Sequence, residues 1–403
     1  MESFPHHVQD RILRLSHYLT DAGVLRRGDP DSACWDTALR QVRRHLFVPG
    51  RAWAEPMDDR PEHLIDLDAG ADAWWDAVYT NCAIITQRGD GSSDVGDTRA
   101  PASSSLSCPH VSMEFLRLLA VENHHRVLEI GTGTGWTAAM LAWRLGEDQV
   151  VTIEVDPSVA AAAGNNLREA GLHPTVLIGD GALGAPDHAP YDRLHVTCGV
   201  REIPWAWVEQ TRPGGVIVAP YMPAHGQWGE QLHLDVLDDG TAVGRFVGDA
   251  SFMMMRSQRR PSQWPAYSGE GACDDTLLDP RTPYQALAQG FGLALAAHAP
   301  TLTITSAGWE QWGPAERVWT LRLRDLKDPR AWALASVSPG KCCTEVLQGG
   351  GRELWEEFEQ AYMEWLRQGR PGRDRYRFTV TPAGQAVWLD QWSMGTLVGR
   401  GRV

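Results

Sequence analysis

Val8, Ile12, Leu15 and Leu19 recur at helical spacing over residues 8–22, and Trp35, Leu39, Val42 and Leu46 do the same over 31–47. Two amphipathic helices are therefore predicted at the start of the chain. From Asp58 to Pro109 the pattern breaks up, and the polar, glycine-rich stretch 88–97 reads as a loop that is either disordered or a lid. Beyond it, short β-rich runs alternate with helical patterns. Strands are predicted at 126–130, 150–154, 175–178, 192–196 and 215–219, with helices at 134–145, 157–170 and 203–211. Asp156 and Pro157 read as the N-cap and first position of one helix, and Gly171 as its stop. This alternation predicts an α/β fold with a Rossmann-like, doubly wound sheet. A stretch at 259–274, rich in Pro, Ser, Gly and Trp, reads as a linker. Strands at 301–304 and 318–321 and a helix at 352–367 follow it. The expected organisation is an N-terminal helical region at 1–57, a sheet core at 58–262 and a C-terminal α/β accessory domain at 270–403.

Composition narrows the class. A chain of 403 residues is long for one core, which fits this division. It is 43% hydrophobic and 22% charged, with no apolar run near the roughly 18 residues that would span a bilayer. The first residues lack the basic and apolar regions of a secretory signal, so a cytoplasmic location is expected. Seven scattered cysteines, including adjacent Cys342 and Cys343, suggest neither a disulfide framework nor a metal site. A net charge of -14 argues against nucleic acid as a partner. The oligomeric state is not legible.

The chemistry concentrates at predicted strand ends. A strand ending in Glu129-Ile130, then Gly131-Thr132-Gly133-Thr134-Gly135, then a helix opened by Trp136, lets backbone pass close to a ligand. A dinucleotide fingerprint needs a third glycine where Trp136 stands, so the spacing suits a methyltransferase better than an oxidoreductase. Glu154, followed by Val155, ends the next strand, where a carboxylate can accept hydrogen bonds from a ribose diol. Asp180, between Gly179 and Gly181, ends the third and can address an adenine edge. His110 and His195 are not expected to be catalytic. Arg256, Arg259 and Arg260 read as a solvated basic turn, and Tyr376, Phe378 and Trp388 as core.

These residues, from Val127 to Ala138, at Gly179-Asp180-Gly181, at Pro190 to Thr197 and at Gly214-Gly215, resemble the protein L-isoaspartate O-methyltransferase family. Leu46-Phe47-Val48-Pro49 and Ser107-Cys108-Pro109-His110 resemble two further phrases of it. The resemblance covers roughly residues 30–260. It implies S-adenosylmethionine as cofactor, held by Glu129, Gly131, Thr132, Gly133, Gly135, Trp136, Glu154, Val155, Asp180, Gly181 and Thr197. It also implies that Ser107 is the catalytic residue orienting a carboxylate acceptor, with Thr86, His110 and Val111 beside the substrate. Cys108 stands where the family usually has glutamine, and the loop at 88–105 replaces a compact lead-in. The C-terminal extension makes the chain resemble the long variants that methylate an aspartate in ribosomally synthesised, cyclised peptides such as lanthipeptides, lasso peptides and graspetides. That resemblance implies a modified precursor peptide as partner and an aspartimide or isoaspartate product. The alternative is a general isoaspartyl repair methyltransferase.

Overall fold

A computed structural model describes residues 6–261, 263–266, 271–312, 317–341 and 343–390. Cys342 and part of the predicted linker lie outside them. The chain divides into two compact units. The first comprises Met1–Cys198, Pro204–Ala219 and Asp235–Gly240; the second comprises Gly199–Ile203, Pro220–Leu234 and Thr241–Val403.

In the first unit, helices α1 (His6–Asp21) and α2 (Pro30–Gln41) follow the predicted periodicity and bury Leu15, Leu19, Trp35 and Leu39. Asp29 caps α2 by accepting from the Ser32 amide at 3.0 Å. A single 3₁₀ turn at Arg44–Phe47 takes the place of the last turn of the predicted helix. There follow β1 (Arg51–Pro56), β2 (His63–Asp66), α3 (Ala71–Val78), β3 (Cys82–Arg88), β4 (Ala102–Leu106) and α4 (Pro109–Leu118). The four strands form an antiparallel sheet in the order β2-β1-β3-β4, which the broken hydrophobic pattern did not announce. The predicted loop at 88–105 is the closed end of the β3–β4 hairpin. Arg88 points inward, donating to the carbonyls of Val95 at 2.8 Å and Ala100 at 3.1 Å, and these bonds tie the segment down.

The α/β part is β5 (Val127–Ile130), α5 (Trp136–Leu145), β6 (Val150–Glu154), α6 (Pro157–Glu169), β7 (Thr175–Ile178), β8 (Tyr191–Val196), α7 (Trp205–Gln210) and β9 (Thr211–Tyr221). The strands are parallel in the order β9-β8-β5-β6-β7. The strand order reverses at β5, which places a crevice between β5 and β8 at the carboxyl ends, where open α/β sheets take ligands. The register keeps those ends level: Ile130 lies opposite Ile153 on one side and Val196 on the other, and Glu154 opposite Ile178. Every residue of β5 and β6 is buried, as a strand covered by helices on both faces requires. Each fully buried Val, Leu or Ile there stabilises the fold by about 1.5–3 kcal/mol. Asp156 caps α6 as predicted, accepting from Ser158 at 2.9 Å and Val159 at 3.2 Å.

The second unit contains β10 (Gly229–Val236), β11 (Ala242–Ala250), β12 (Ala272–Thr276), α8 (Arg281–Ala286), α9 (Phe291–His298), β13 (Leu302–Gln311), β14 (Arg317–Asp325), β15 (Trp332–Val337), β16 (Thr344–Gly349), α10 (Leu354–Arg367), β17 (Tyr376–Thr381) and β18 (Gly384–Leu389). Strands β12-β16-β15-β14-β13 form an antiparallel sheet. Its core joins Leu302, Ile304, Leu321 and Leu323 to Phe291 of α9 and to Phe358 and Trp365 of α10. Strands β18-β17-β11-β10 are also neighbours in that order. Tyr376 and Phe378 are core, as expected, whereas Trp388 is 40% exposed. Arg260 departs from the expected solvated turn. It donates to the carbonyls of Ile304 at 3.0 Å and Ala224 at 3.2 Å, and burial lowers its pKa to about 10. Among the described residues no helix is long and apolar enough to cross a membrane.

The level strand ends are sterically fixed at Gly181, where an added Cβ would stand 2.6 Å from Ile130 Cγ2. Gly181→Ala is expected to destabilise the protein by about 1–3 kcal/mol through overpacking, read as a lowered melting temperature.

Candidate functional site

The turn after β5 is built from three glycines with φ of +94° at Gly131, +54° at Gly133 and +92° at Gly135, conformations that a side chain disfavours. Space demands the same residues. A Cβ on Gly131 would stand 2.6 Å from Thr197 Oγ1, and one on Gly133 would stand 3.2 Å from the Ser105 carbonyl oxygen. The turn is anchored to β6, because the Gly131 amide donates to Ile153 at 2.9 Å. Thr197 anchors it to β8: its amide donates to the Ile130 carbonyl at 2.9 Å and its hydroxyl to the same carbonyl at 3.0 Å.

Glu154 lies beside the turn, its carboxylate accepting from the Gly133 amide at 2.9 Å and the Asp156 amide at 3.1 Å. The neighbouring Val155 is 39% exposed. Asp180 is exposed and accepts from the Ala182 amide at 2.9 Å, capping a short turn. Thus the structure gathers Gly131, Thr132, Gly133, Gly135, Glu154, Asp180, Gly181 and Thr197 at the carboxyl ends of four adjacent strands.

Two expected contacts sit deeper. Glu129 is fully buried. It accepts from Thr152 Oγ1 at 2.8 Å and lies 3.3 Å from His195 Nδ1, while Thr152 meets Thr132 Oγ1 at 2.7 Å. A buried polar chain therefore runs from Glu129 and His195 up to the turn. The Trp136 ring is also buried, its Nε1 3.5 Å from the Val42 carbonyl and its face under the Arg44 guanidinium at 4.4 Å. What Trp136 offers the turn is the backbone at the start of α5. The Cys198 thiol, beside Gly131, is pushed up to about 12 by burial and then by the charges of Glu154 and Asp180, so it is no nucleophile at neutral pH.

On the other side, β4 leads into Ser107 and α4. The N-cap of α4 is Cys108, without a side-chain cap, and the Ser107 hydroxyl has no hydrogen-bond partner among the described residues. It is left for another task. His110 Nε2 lies 3.4 Å from Glu114, and the His110 amide donates to Asn81 Oδ1 at 3.1 Å. Val111 is half-buried, and Thr86 donates to Ser104 Oγ at 3.3 Å.

Three residues here were not legible in the sequence. Arg44 is fully buried and donates to the carbonyls of Val78 at 2.9 Å, Cys82 at 3.0 Å and Ser107 at 3.0 Å. Desolvation lowers its pKa to about 10, which leaves it charged at neutral pH. With Trp136 beneath it, this one side chain ties the Ser107 segment to the first residue of α5. Asn81 holds the start of α4, and Gln87 reaches Asp156 at 3.1 Å. The only sequence signal for Arg44 was its place just before Leu46-Phe47-Val48-Pro49.

Glycines that a Cβ would obstruct, acidic acceptors at two strand ends and a sheet switch point suit an adenosine-bearing cofactor. The fold and these strand ends define a Rossmann-like S-adenosylmethionine-dependent methyltransferase. Residues 84–259 match the family model described as protein-L-isoaspartate(D-aspartate) O-methyltransferase. The protein-L-isoaspartate O-methyltransferase of Thermococcus onnurineus is 37% identical over 155 residues, which is 38% of this chain and 70% of that one. Its counterpart from Methanoculleus marisnigri is 33% identical over 191 residues, 47% of this chain and 70% of that one. A solved structure of a protein-L-isoaspartate O-methyltransferase shares the fold at a TM-score of 0.52 and 20% identity, covering 94% of this chain and 99% of that one. The chain belongs to the protein L-isoaspartate O-methyltransferase family, and it is an S-adenosylmethionine-dependent carboxyl O-methyltransferase.

Replacing Arg44 by Met would leave two buried carbonyls and the part-buried one of Ser107 without this donor, at a cost of about 3 kcal/mol. Urea denaturation should show that loss. Arg44→Lys should recover only part of it, because one ammonium cannot span three carbonyls and stack on Trp136.

Proposed function

We propose that the protein methylates the carboxylate of an isoaspartyl residue in proteins and peptides. The observation that carries this reading is the approach of β4 to the glycine turn. The Ser105 carbonyl lies against Gly133, and two residues on, Ser107 presents an uncommitted hydroxyl on a segment held by Arg44. An acceptor bound by Ser107 therefore lies beside the place where the cofactor's reactive end would sit.

When bound, S-adenosylmethionine supplies a methyl group already activated by its sulfonium, so an acceptor that is ionised at neutral pH needs no general base. The His110–Glu114 pair beside Ser107 is therefore not needed as a base, and the buried Glu129–His195 pair supports the turn. Gly131 and Gly133 would admit the cofactor close to backbone, Glu154 would take the ribose hydroxyls, and Asp180 with the backbone after it would take the adenine. Val155 would cover the adenine face, and Gly135 with the backbone of Trp136 would close the turn. Ser107 donates a hydrogen bond that orients the acceptor carboxylate, flanked by Thr86, His110 and Val111, and alignment supplies most of the rate. These residues would hold a carboxylate oxygen towards the methyl group, and because that oxygen is already ionised no residue here has to take up or give a proton. The ester is then open to attack by the following backbone nitrogen, with loss of methanol.

A dedicated cyclised precursor peptide, the expectation drawn from the C-terminal extension, has less support. The relatives above carry the general isoaspartyl name. The general acceptor is preferred for that reason.

With S-adenosylmethionine, a linear isoaspartyl peptide should gain a methyl group and then release methanol, while its aspartyl twin stays unmodified. Methylation confined to a cyclised aspartyl peptide would overturn the reading. Ser107→Ala should lower kcat/KM by roughly ten- to a hundredfold, the loss of one hydrogen bond to a charged group.

A further inference from the structure

A cleft of about 290 Å³ opens in the first unit between α1, the β1–β2 turn and the end of α3. Three arginines line it, in a protein whose net charge is -14. Two of them are committed. Arg11 pairs with Asp76, and Arg60 pairs with Asp58 at 2.8 Å. The third, Arg14, is exposed and makes no hydrogen bond or ion pair among the described residues. Tyr18 and Met57, 44% and 49% exposed, add apolar surface to the same cleft.

The floor of the cleft leads to the acceptor segment through one side chain. Asn81 donates from Nδ2 to the Tyr18 hydroxyl at 3.1 Å and accepts at Oδ1 from the His110 amide, also at 3.1 Å. The Tyr18 and His110 rings lie 6.5 Å apart, edge to face. Asn81 thus joins the cleft to the start of α4, the segment that follows Ser107.

We propose that the cleft is a subsite for the peptide segment flanking the methyl acceptor and that it selects an acidic side chain there, with Arg14 as the receiving cation. This rests on reading Ser107–Val111 as the acceptor segment. An overall negative protein repels acidic peptides at long range. The free guanidinium reverses that locally, next to a tyrosine and a methionine that accept the stem of the side chain. Without such a subsite, flanking glutamates would slow methylation.

The test uses the full chain and isoaspartyl peptides differing only in whether Glu, Gln or Lys occupies the two residues on either side of the acceptor. Wild type should favour the Glu-flanked peptide over the Gln-flanked one by about fivefold in kcat/KM, the upper range for a partly exposed charge pair, and the preference should shrink with added salt. Arg14→Ala should bring the ratio near one, and Arg14→Glu should turn the preference towards Lys. Because Arg14 is on the surface, both variants should melt as wild type does. An unaltered Glu preference in Arg14→Glu would overturn the proposal. Fluorescence anisotropy of a labelled Glu-flanked peptide separates this inference from the acceptor reading. If no isoaspartyl peptide is methylated but binding still weakens in Arg14→Glu, the subsite stands and the acceptor reading falls. Binding that does not depend on Arg14 rejects the subsite.

Discussion

Three left-handed glycines within five residues allow the backbone to leave β5, cross the end of the sheet and enter α5 without a side chain over the strand ends. The rest of the site depends on that crossing. It brings the Gly133 amide to Glu154, it places Gly131 against Thr197, and it leaves room for the Ser105 carbonyl to approach from β4. A side chain at Gly131 would press on Thr197 after β8, and one at Gly133 would press on the Ser105 carbonyl of β4, so these segments would no longer converge on one place. A buried chain of hydrogen bonds from Glu129 through Thr152 to Thr132 holds the turn from below, at a depth where polar groups are costly unless paired.

Arg44 performs the complementary task on the acceptor side. Its three carbonyl partners come from α3, the start of β3 and the Ser107 segment, and its face rests on Trp136. One buried cation thus gathers segments far apart in sequence around the residue that opens α5. The charge meets oriented carbonyl dipoles and an aromatic face at Nε and Nη2, while Nη1 is buried without a hydrogen-bond partner among the described residues, and no counter-charge is introduced beside an acceptor that is itself an anion.

The parallel sheet was legible because its strands are short apolar runs separated by helical periodicity and punctuated by residues with a mechanical role, such as Asp156, Pro157 and Gly171. The β1–β4 sheet was not. Ala-Ser-Ser-Ser-Leu at β4 and Arg-Ala-Trp-Ala-Glu-Pro at β1 carry little hydrophobic alternation, and the hairpin is closed by Arg88 reaching backbone carbonyls, an arrangement that no local pattern encodes. The same contrast holds at the site. Glycines and acids at strand ends could be read because the fold fixes where such ends point. Asn81, Gln87 and Arg44 act across the unit through hydrogen bonds to residues distant in sequence, and Trp136, read as a ligand contact, spends its ring on the core. Glu129 likewise acts through Thr152, a pairing between strands that spacing along the chain does not reveal.

Every role proposed for the strand ends depends on where a cofactor is held. Amide hydrogen exchange with and without S-adenosylhomocysteine measures this without requiring turnover. Protection should concentrate at the turn from Gly131 to Trp136, at Val155 and Asp156, and at Gly181 and Ala182. Protection that appears only elsewhere, with these amides unchanged at saturating ligand, would contradict it.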